Sequence, residues 1–458
     1  MFSHSLFMNR RSFLRNSTGA SIAFLGLQRL LAQSSPAGPV LYGDLVKDPD
    51  GLLDLPEGFS YTVLSRSGGK MTDGYKVPGK PDGMACFPQK DGKIALVRNH
   101  ELGRGHGPNG PFPDSSALPE GFDKELIFDA GGPGLVPLVG GTTNLLYDPK
   151  TRKVEKEFLS LVGTDRNCAG GALPWGSWIT CEETADLTEP DSKNHGWCFE
   201  VSADPDSGLQ KPVPLKALGR FRHEAVAYEE ETGILYLTED RGAGLLYRFV
   251  PEKKGSFEAG RLQALALVDA DAPDTRNLEP SQKQFPLNSP QPIRWIDMDK
   301  VEAPADDLRR RGHKAGAALF ARGEGITILD GQVYICCTSG GHIRQGQIFR
   351  INPGNEPTLE LFLQPGESDL LANGDNICVG PHSQLVICED LVNEHAAKTP
   401  HLRIVTPDGQ IHSLARNALN RSEFAGSCFD ETSQTLFVNM QTPGITFAIH
   451  GPWPEGGA

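Results

Sequence analysis

The sequence predicts an all-β fold, a six-bladed β-propeller with loop insertions over one face. Three observations carry this expectation: a hairpin pattern recurs six times, a further strand-like segment follows each copy, and turn residues are dense, with Gly 52 and Pro 35 in 458 residues. The copies are Asp82–Glu101, Cys168–Glu183, His223–Arg241, Glu324–Gly341, Asp375–Asp390 and Phe424–Gly444. Each runs from a small or acidic opening residue through a short apolar strand and a polar turn into a second apolar strand. Alternating apolar positions bounded by Gly, Pro, Asp or Asn are the strand signature. The segments that follow are Thr143–Asp148, Trp197–Ser202, Leu245–Val250, Gln347–Asn352, Leu402–Pro407 and Thr446–His450. Three or four antiparallel strands thus repeat about every 50 residues, a period of propellers and solenoids. Radial closure of six such units protects the sheet edges.

The remaining segments fit around that ring. Gly58–Arg66 is a strand placed to complete the last blade and latch it. Gly103–Gly140 and Asp269–Gly316 break the period and read as loops or short helices over one face. No Gly-rich turn leads into an amphipathic helix, which disfavours a two-domain α/β alternative. At the N-terminus, Asn9-Arg10-Arg11-Ser12-Phe13-Leu14-Arg15 precedes a modestly apolar run from Gly19 to Leu31 and small residues near Ala32. This pattern resembles a twin-arginine export signal and is set aside from the fold. The expected organisation is a removed signal over residues 1–35 and one propeller domain over 36–458, periplasmic or secreted, monomeric and without a stable membrane anchor.

A net charge of -14 disfavours nucleic acid as a partner, because phosphate backbones call for a basic surface. Nine cysteines in an exported chain suggest disulfides, but most lie inside apolar strand runs and read as buried free thiols. Cys168 differs, standing at the polar start of the second copy beside Asn167 and two glycines.

The chemistry is expected where the hairpins begin and end. The opening residues of a propeller face a shared funnel, and they are Asp82, Cys168, His223-Glu224, Arg322-Gly323-Glu324, Asp375-Asn376 and Glu423. Four copies close on carboxylates, at Glu101, Glu182-Glu183, Glu239-Asp240 and Glu389-Asp390. Neighbours on a strand face opposite ways, so one member of each pair must turn outward. Whether the opening and closing sets share a rim is open at the level of sequence. Carboxylates and Asn carbonyls are hard oxygen ligands for calcium, magnesium or ferric iron, and one thiolate among them points to a transition metal. Cys168 with Glu224 and Glu324 favours iron, whereas Asn99, Glu101 and Glu183 favour calcium. Arg322, two residues before Glu324, is placed to bind phosphate oxygens. His223 reads as structural, and His106, His195, His342 and His382 as surface residues. Gly-x-Ser-x-Gly, His-Glu-x-x-His, Cys-x-x-Cys and Walker motifs are all missing, which disfavours serine or zinc-peptidase chemistry.

Taken together, certain strings resemble one family. Asn167-Cys168-Ala169-Gly170-Gly171 running into Pro174–Glu183, Arg222–Val226 with Leu237–Arg241, Arg322–Gly325, Gly374–Ile377 and Leu436–Gly444 are similar to the PhoX-type alkaline phosphatases. The resemblance spans essentially the whole mature chain. It implies an exported phosphomonoesterase with Ca2+ and Fe3+ in one cluster. It implies Cys168, Glu224 and Glu324 as iron-side ligands, with Arg322 holding the phosphate and Glu224 and Glu324 in the catalytic group. Asn99, Glu101, Glu183, Asp375, Asn376 and Glu389 become candidates for calcium or bridging positions, and Glu239 joins the candidate metal ligands. Two alternatives remain beside it: a calcium-dependent lactonase or esterase, which needs no thiolate, and a binding propeller whose calcium is structural.

Overall fold

The computed structural model describes residues 41–132, 135–185, 193–366, 370–391 and 399–453. The twin-arginine segment lies outside them. Contacts divide the chain into Met1–Gly43 and Asp44–Ala458, and every element below belongs to the second unit.

The second unit is built of antiparallel sheets in a propeller-like arrangement. The first copy makes a four-stranded sheet in chain order, Pro81–Pro88, Ile94–His100, Gly140–Asp148 and Lys153–Thr164. The second copy has three strands, Asn167–Leu173, Ser177–Glu182 and Cys198–Ser202. The fifth copy runs Gly374–Val379, Leu385–Glu389, His401–Val405 and Ile411–Asn417, and is extended by Leu53–Pro56 and Leu45–Val46. In the sixth copy, Phe424–Asp430, Thr435–Met440 and Ile445–His450 are joined by Ser60–Arg66 from near the start of the unit, at the place expected for a latch.

The third and fourth copies depart from the expectation of separate blades. They share one nine-stranded sheet, so the described residues form five sheets and not six. The cause is Gln291–Asp297, inside an insertion that the sequence suggests is loop or short helix. It pairs from Leu267↔Ile293 to Gln263↔Asp297 with the outer strand of the third copy. It also meets the outer strand of the fourth at Gln291↔Leu359 and Pro292↔Thr358. The same insertion holds one short helix, Leu308–Lys314. The described residues of the other, Gly103–Gly140, hold single turns at Gly107–Asn109 and Lys124–Leu126.

The first strands of successive hairpins pack on one another in chain order, and that of the sixth packs on that of the first. Apolar side chains fill the space between neighbouring copies. Met84, Leu96 and Tyr147 of the first meet Phe437 and Ala448 of the sixth, and Phe87 and Val97 of the first meet Trp178 and Phe199 of the second. Each such fully buried side chain stabilises the fold by about 1.5–3 kcal/mol. One buried ion pair braces the first copy, Arg98 Nη2 to Glu157 Oε1 at 2.9 Å.

Where the sixth copy meets the first, Gly426 holds φ +60 and a Cβ there would lie 2.1 Å from the Asp82 carbonyl oxygen. The close approach requires glycine. Gly426→Ala is expected to lower stability in urea or thermal melts by about 1–3 kcal/mol, since an added methyl in a full space forces the backbone to shift. An unchanged midpoint would contradict this account of the junction.

Candidate metal centre

One backbone device recurs in all six hairpins. The N–H of the closing residue donates to a carbonyl at the hairpin start: Glu101 to Lys80, Glu183 to Arg166, Asp240 to Arg222, Thr338 to Arg322, Asp390 to Asn373 and Gln441 to Glu423. Beyond that bond the register slips. Asp82-Gly83, Cys168-Ala169, Glu224-Ala225, Glu324-Gly325 and Asp375-Asn376 lie between the paired positions Pro81/Met84, Asn167/Gly170, His223/Val226, Gly323/Ile326 and Gly374/Ile377. Such bulges re-aim a side chain without ending the sheet. Lys80, Arg166, Arg322 and Asn373, at the accepting carbonyls, all hold positive φ (45 to 55). Each hairpin thus presents three equivalent positions: one at the accepting carbonyl, one on the bulge and one at the closing residue.

These positions converge. Ligand atoms of Cys168, Glu183 and Glu224 lie within 4.8 Å of one another, as do those of Glu224, Glu324 and Asp375, and those of Asp375, Asp390 and Glu423. Glu224 and Asp375 each belong to two groups, so the three groups are contiguous. Glu224 is fully buried, and neither of its oxygens has a hydrogen-bond partner among the described residues. A carboxylate held this way is costly unless a cation or a proton sits against it. Burial, then the charges of Asp375 and Glu183, hold Glu224 far above the usual carboxylate range. Burial and the Asp240 charge do the same to Glu324. Glu183 is pushed up to about 7 by burial and Asp240, against the opposing charge of Arg166. Asp375 is pushed up to about 8 by burial and Asp390. Burial, with Asp82 and Glu224 next, raises the Cys168 thiol strongly. A thiol and carboxylates with orphaned oxygens at this spacing fit a multivalent cation, softer at the Cys168 end and oxygen-only at Asp375, Asp390 and Glu423.

Cations rim the group. Arg322 donates from Nε and Nη2 to Asp240 (2.8 and 3.1 Å) and from Nη2 to Glu324 (2.7 Å). Arg166 bridges Glu101 (2.8 Å) and Glu183 (2.7 Å), and Lys80 pairs with Glu101 at 3.0 Å. Arg222 stands two residues before Glu224, as Arg322 does before Glu324 and Arg166 before Cys168. That recurrence is plain in the sequence, so Arg166 and Arg222 share the position from which the sequence points to Arg322.

Of the residues expected from sequence, Cys168, Glu183, Glu224, Glu324 and Asp375 come together, and Glu101 borders them through Arg166. Asn99 and Asn376 have other work. Asn99 Nδ2 donates to the Cys168 and Ala169 carbonyls while its Oδ1 accepts from Trp178, so it braces the bulge. Asn376 donates to Asp375 at 3.0 Å and accepts from the Gly426 amide. Glu239 and Glu389 do not join the group. Glu239 accepts from the Leu245 amide and the Tyr247 hydroxyl, and Glu389 from the amides of Ala372 and His401 and from Arg403. Their successors, Asp240 and Asp390, take the converging positions, because strand alternation sends the first member of each pair back into its own sheet. Two further opening residues take part: Glu423 belongs to the group of Asp375 and Asp390, and Asp82 borders it near Glu101 and Asp375. His223 is buried with Nε2 on the Gly219 carbonyl, in keeping with a structural role. His195, expected at the surface, is buried instead.

A family profile described as alkaline phosphatase PhoX matches residues 40–132 and 140–444. The chain belongs to the alkaline phosphatase PhoX family. It is a phosphatase, an enzyme of the hydrolase class. Among solved structures, PhoX of Pseudomonas fluorescens in complex with vanadate, a transition state analogue, is similar at a TM-score of 0.63 and 18% identity, covering 90% of this chain and 97% of that one. That likeness shows the propeller-like fold. A gluconolactonase of Xanthomonas campestris is similar at a TM-score of 0.38 and 13% identity, covering 92% and 99% of the two chains. The periplasmic gluconolactonase of Pseudomonas aeruginosa reaches 0.37 and 14%, covering 84% and 89%. No curated protein sequence matches the chain.

The raised carboxylates of this PhoX-family chain set a pH dependence. Without cations, folded Glu183 and Asp375 hold protons that the unfolded chain has released above about pH 4–5. Stability is then greatest below that range and is lost as pH rises through about 7 and about 8. Metal-stripped protein is expected to melt at a lower temperature at pH 9 than at pH 6, and calcium should flatten the difference. Glu224→Gln should raise the melting temperature of the stripped protein while weakening its retention of metal. A stripped protein that gains stability with pH would refute this electrostatic account.

Proposed function

We propose that the chain is an exported, metal-dependent phosphomonoesterase that releases inorganic phosphate at an iron and calcium centre in the funnel of a six-bladed propeller. The observation that carries the reading is Glu224, buried with both oxygens unpartnered between a thiol and further carboxylates in a PhoX-family chain. Cys168 and Glu224 would hold iron together with Glu183, which shares their group where the resemblance implies Glu324. Glu324 with Asp375, and Asp375 with Asp390 and Glu423, would hold calcium. When bound, these cations supply Lewis-acid stabilisation of charge on the phosphoryl group.

The chain's own residues supply position. Arg322 Nε and Nη2 are fixed by Asp240 and Glu324, which leaves Nη1 for a phosphoryl oxygen that gains charge as the ester bond breaks. The Glu324 charge, and then that of Asp240, outweigh burial and keep that guanidinium cationic. Hydrolysis forms one P–O bond from water and breaks the P–O bond to the leaving alcohol, so no further reactant is needed. The solved relative bound to vanadate supports phosphoryl chemistry for this fold. The twin-arginine pattern supports export, with metal loaded on folded protein before translocation. No helix among the described residues is long and apolar enough to cross a membrane. A single domain over 36–458, monomeric and indifferent to nucleic acid, completes the proposal.

Protein matured in the cytoplasm should contain both iron and calcium by elemental analysis and release phosphate from an aryl phosphate at alkaline pH. Cys168→Ser should lose iron, and Arg322→Met should lower kcat/KM by about 10²–10³-fold, the usual effect of removing a donor to developing negative charge. Absence of turnover with both metals bound would overturn the reading. Calcium without iron, together with an indifferent Cys168→Ser, would favour lactonase chemistry instead.

A further inference from the structure

We propose that His195 is a positioning residue for this centre, acting through Glu182 on Glu183, Arg166 and Cys168. The inference rests on the metal-centre reading above. His195 is 2% exposed, with Nδ1 at 2.6 Å from Glu182 Oε1 and Nε2 at 3.3 Å from Asp129 Oδ2. Glu182 is fully buried and ties three segments together. Its Oε1 accepts from the Asp165 amide at 2.9 Å, and its Oε2 from the amides of Gly196 (2.8 Å) and Trp197 (3.0 Å). The Asp165 amide opens the turn that carries Arg166 and then Cys168. Glu182 itself precedes Glu183, whose own amide donates to the Arg166 carbonyl at 2.9 Å. One carboxylate therefore sets the spacing between the opening and closing sides of the second hairpin, where the thiol and its nearest carboxylate are presented.

The other copies show what that carboxylate requires. Glu389, at the equivalent position in the fifth copy, accepts amides from Ala372 and His401 and is met by Arg403 at 2.8 Å. Glu239, in the third copy, accepts the Leu245 amide and has Arg309 at 3.7 Å. Each inward carboxylate has a basic side chain against it, Arg309 in the third copy, Arg403 with His401 in the fifth, and His195 in the second. Burial alone would strip the proton from His195, but Glu182 and Asp129 outweigh burial and hold the imidazole up at about 10. Asp129 lies on the 103–140 insertion, and its amide donates to Gly163, so the same histidine fastens that insertion behind the centre.

The test compares wild type, His195→Gln and Asp129→Asn in the full chain, with Glu157→Gln as a control that breaks a buried ion pair of the first copy away from the centre. Bound iron and calcium after dialysis, melting temperature, and kcat and KM on an aryl phosphate are measured for each. His195→Gln is expected to retain its fold, lose metal affinity and kcat by about 10–100-fold, and leave KM within about twofold, in line with the loss of groups that orient metal ligands. Glu157→Gln should lower the melting temperature and leave metal content and kcat as in wild type. If His195→Gln behaves like Glu157→Gln, the role is structural only and the proposal fails. Should His195→Gln not fold, Asp129→Asn decides, because it removes the carboxylate that orients and charges the His195 ring through Nε2 while leaving the amide contacts of Glu182 in place: weakened metal retention supports the proposal and unchanged retention overturns it. A wild type that binds metal without phosphatase turnover refutes the proposed function, while the metal contents still decide the role of His195.

Discussion

Repulsion among acidic side chains packed into one funnel is the constraint that the rest of this structure answers. Carboxylates of Glu224, Glu324 and Asp375 present oxygens within 4.8 Å of one another. At an effective dielectric near 20, two unit charges at that separation repel by roughly 3 kcal/mol. A few such pairs rival the whole net stability of a domain, about 5–15 kcal/mol. An all-anionic group without counter-charge is therefore not an equilibrium state of the fold. Protons or cations must occupy it, and Glu224, whose oxygens meet no donor among the described residues, marks the place where the demand is strongest. Arg322, Arg166 and Lys80 answer part of it from the rim, but each is already shared with Asp240, Glu101 or Glu183.

Holding such a group together calls for a scaffold stiffer than its contents, and repetition supplies it. The bond from each closing amide to a carbonyl at the hairpin start fixes where the closing side chain points, whatever that side chain is. The bulge that follows turns the opening side chain toward the same rim. Apolar contacts between neighbouring copies then transmit rigidity around the ring. The inward carboxylates Glu182, Glu239 and Glu389 tie loops to strand ends behind the centre, so ligand spacing does not depend on loops alone. Buried charge appears twice in this design, once exposed to its own kind in the funnel and once neutralised behind it.

Much of this was legible in the sequence, because period-2 alternation and turn residues identify hairpins wherever they recur. The merging of the third and fourth copies was not. Gln291–Asp297 reads Gln-Pro-Ile-Arg-Trp-Ile-Asp, a short mixed run inside a long insertion, and only tertiary pairing on both sides makes it a strand. Cys168, Glu224 and Glu324 were legible as single residues at equivalent starts. The acidic pairs were half legible: alternation says that one member turns away, but not which. The sequence points to Glu183 at the centre, but in the other two pairs it points to Glu239 and Glu389, where the structure turns Asp240 and Asp390 inward. Aligning all six copies on the residue two before the bulge would have assigned the second member every time. His195 left no local signal, since its partner Asp129 lies 66 residues away and its role is set wholly by packing.

The departures from repetition give the centre a direction. At the accepting carbonyls the copies carry Lys80, Arg166, Arg222 and Arg322, then Asn373 and Glu423, so the rim passes from basic to acidic around the ring. At the closing positions the fourth and sixth copies replace an acid with Thr338 and Gln441. The thiol stands on the second copy, under the basic arc, while Asp375, Asp390 and Glu423 gather on the fifth and sixth under the acidic one. A charge-rich anion such as a phosphate ester is drawn to the basic arc and repelled by the acidic one. On the proposed reading, the reacting group then lies nearest the cation held by Cys168, Glu183 and Glu224, with Arg322 at the boundary between the arcs. A cation held at the oxygen-only corner would serve as the counter-charge that keeps the group folded. A closed ring of equal blades would have no such polarity, and it is the unequal residues at equal positions that create it.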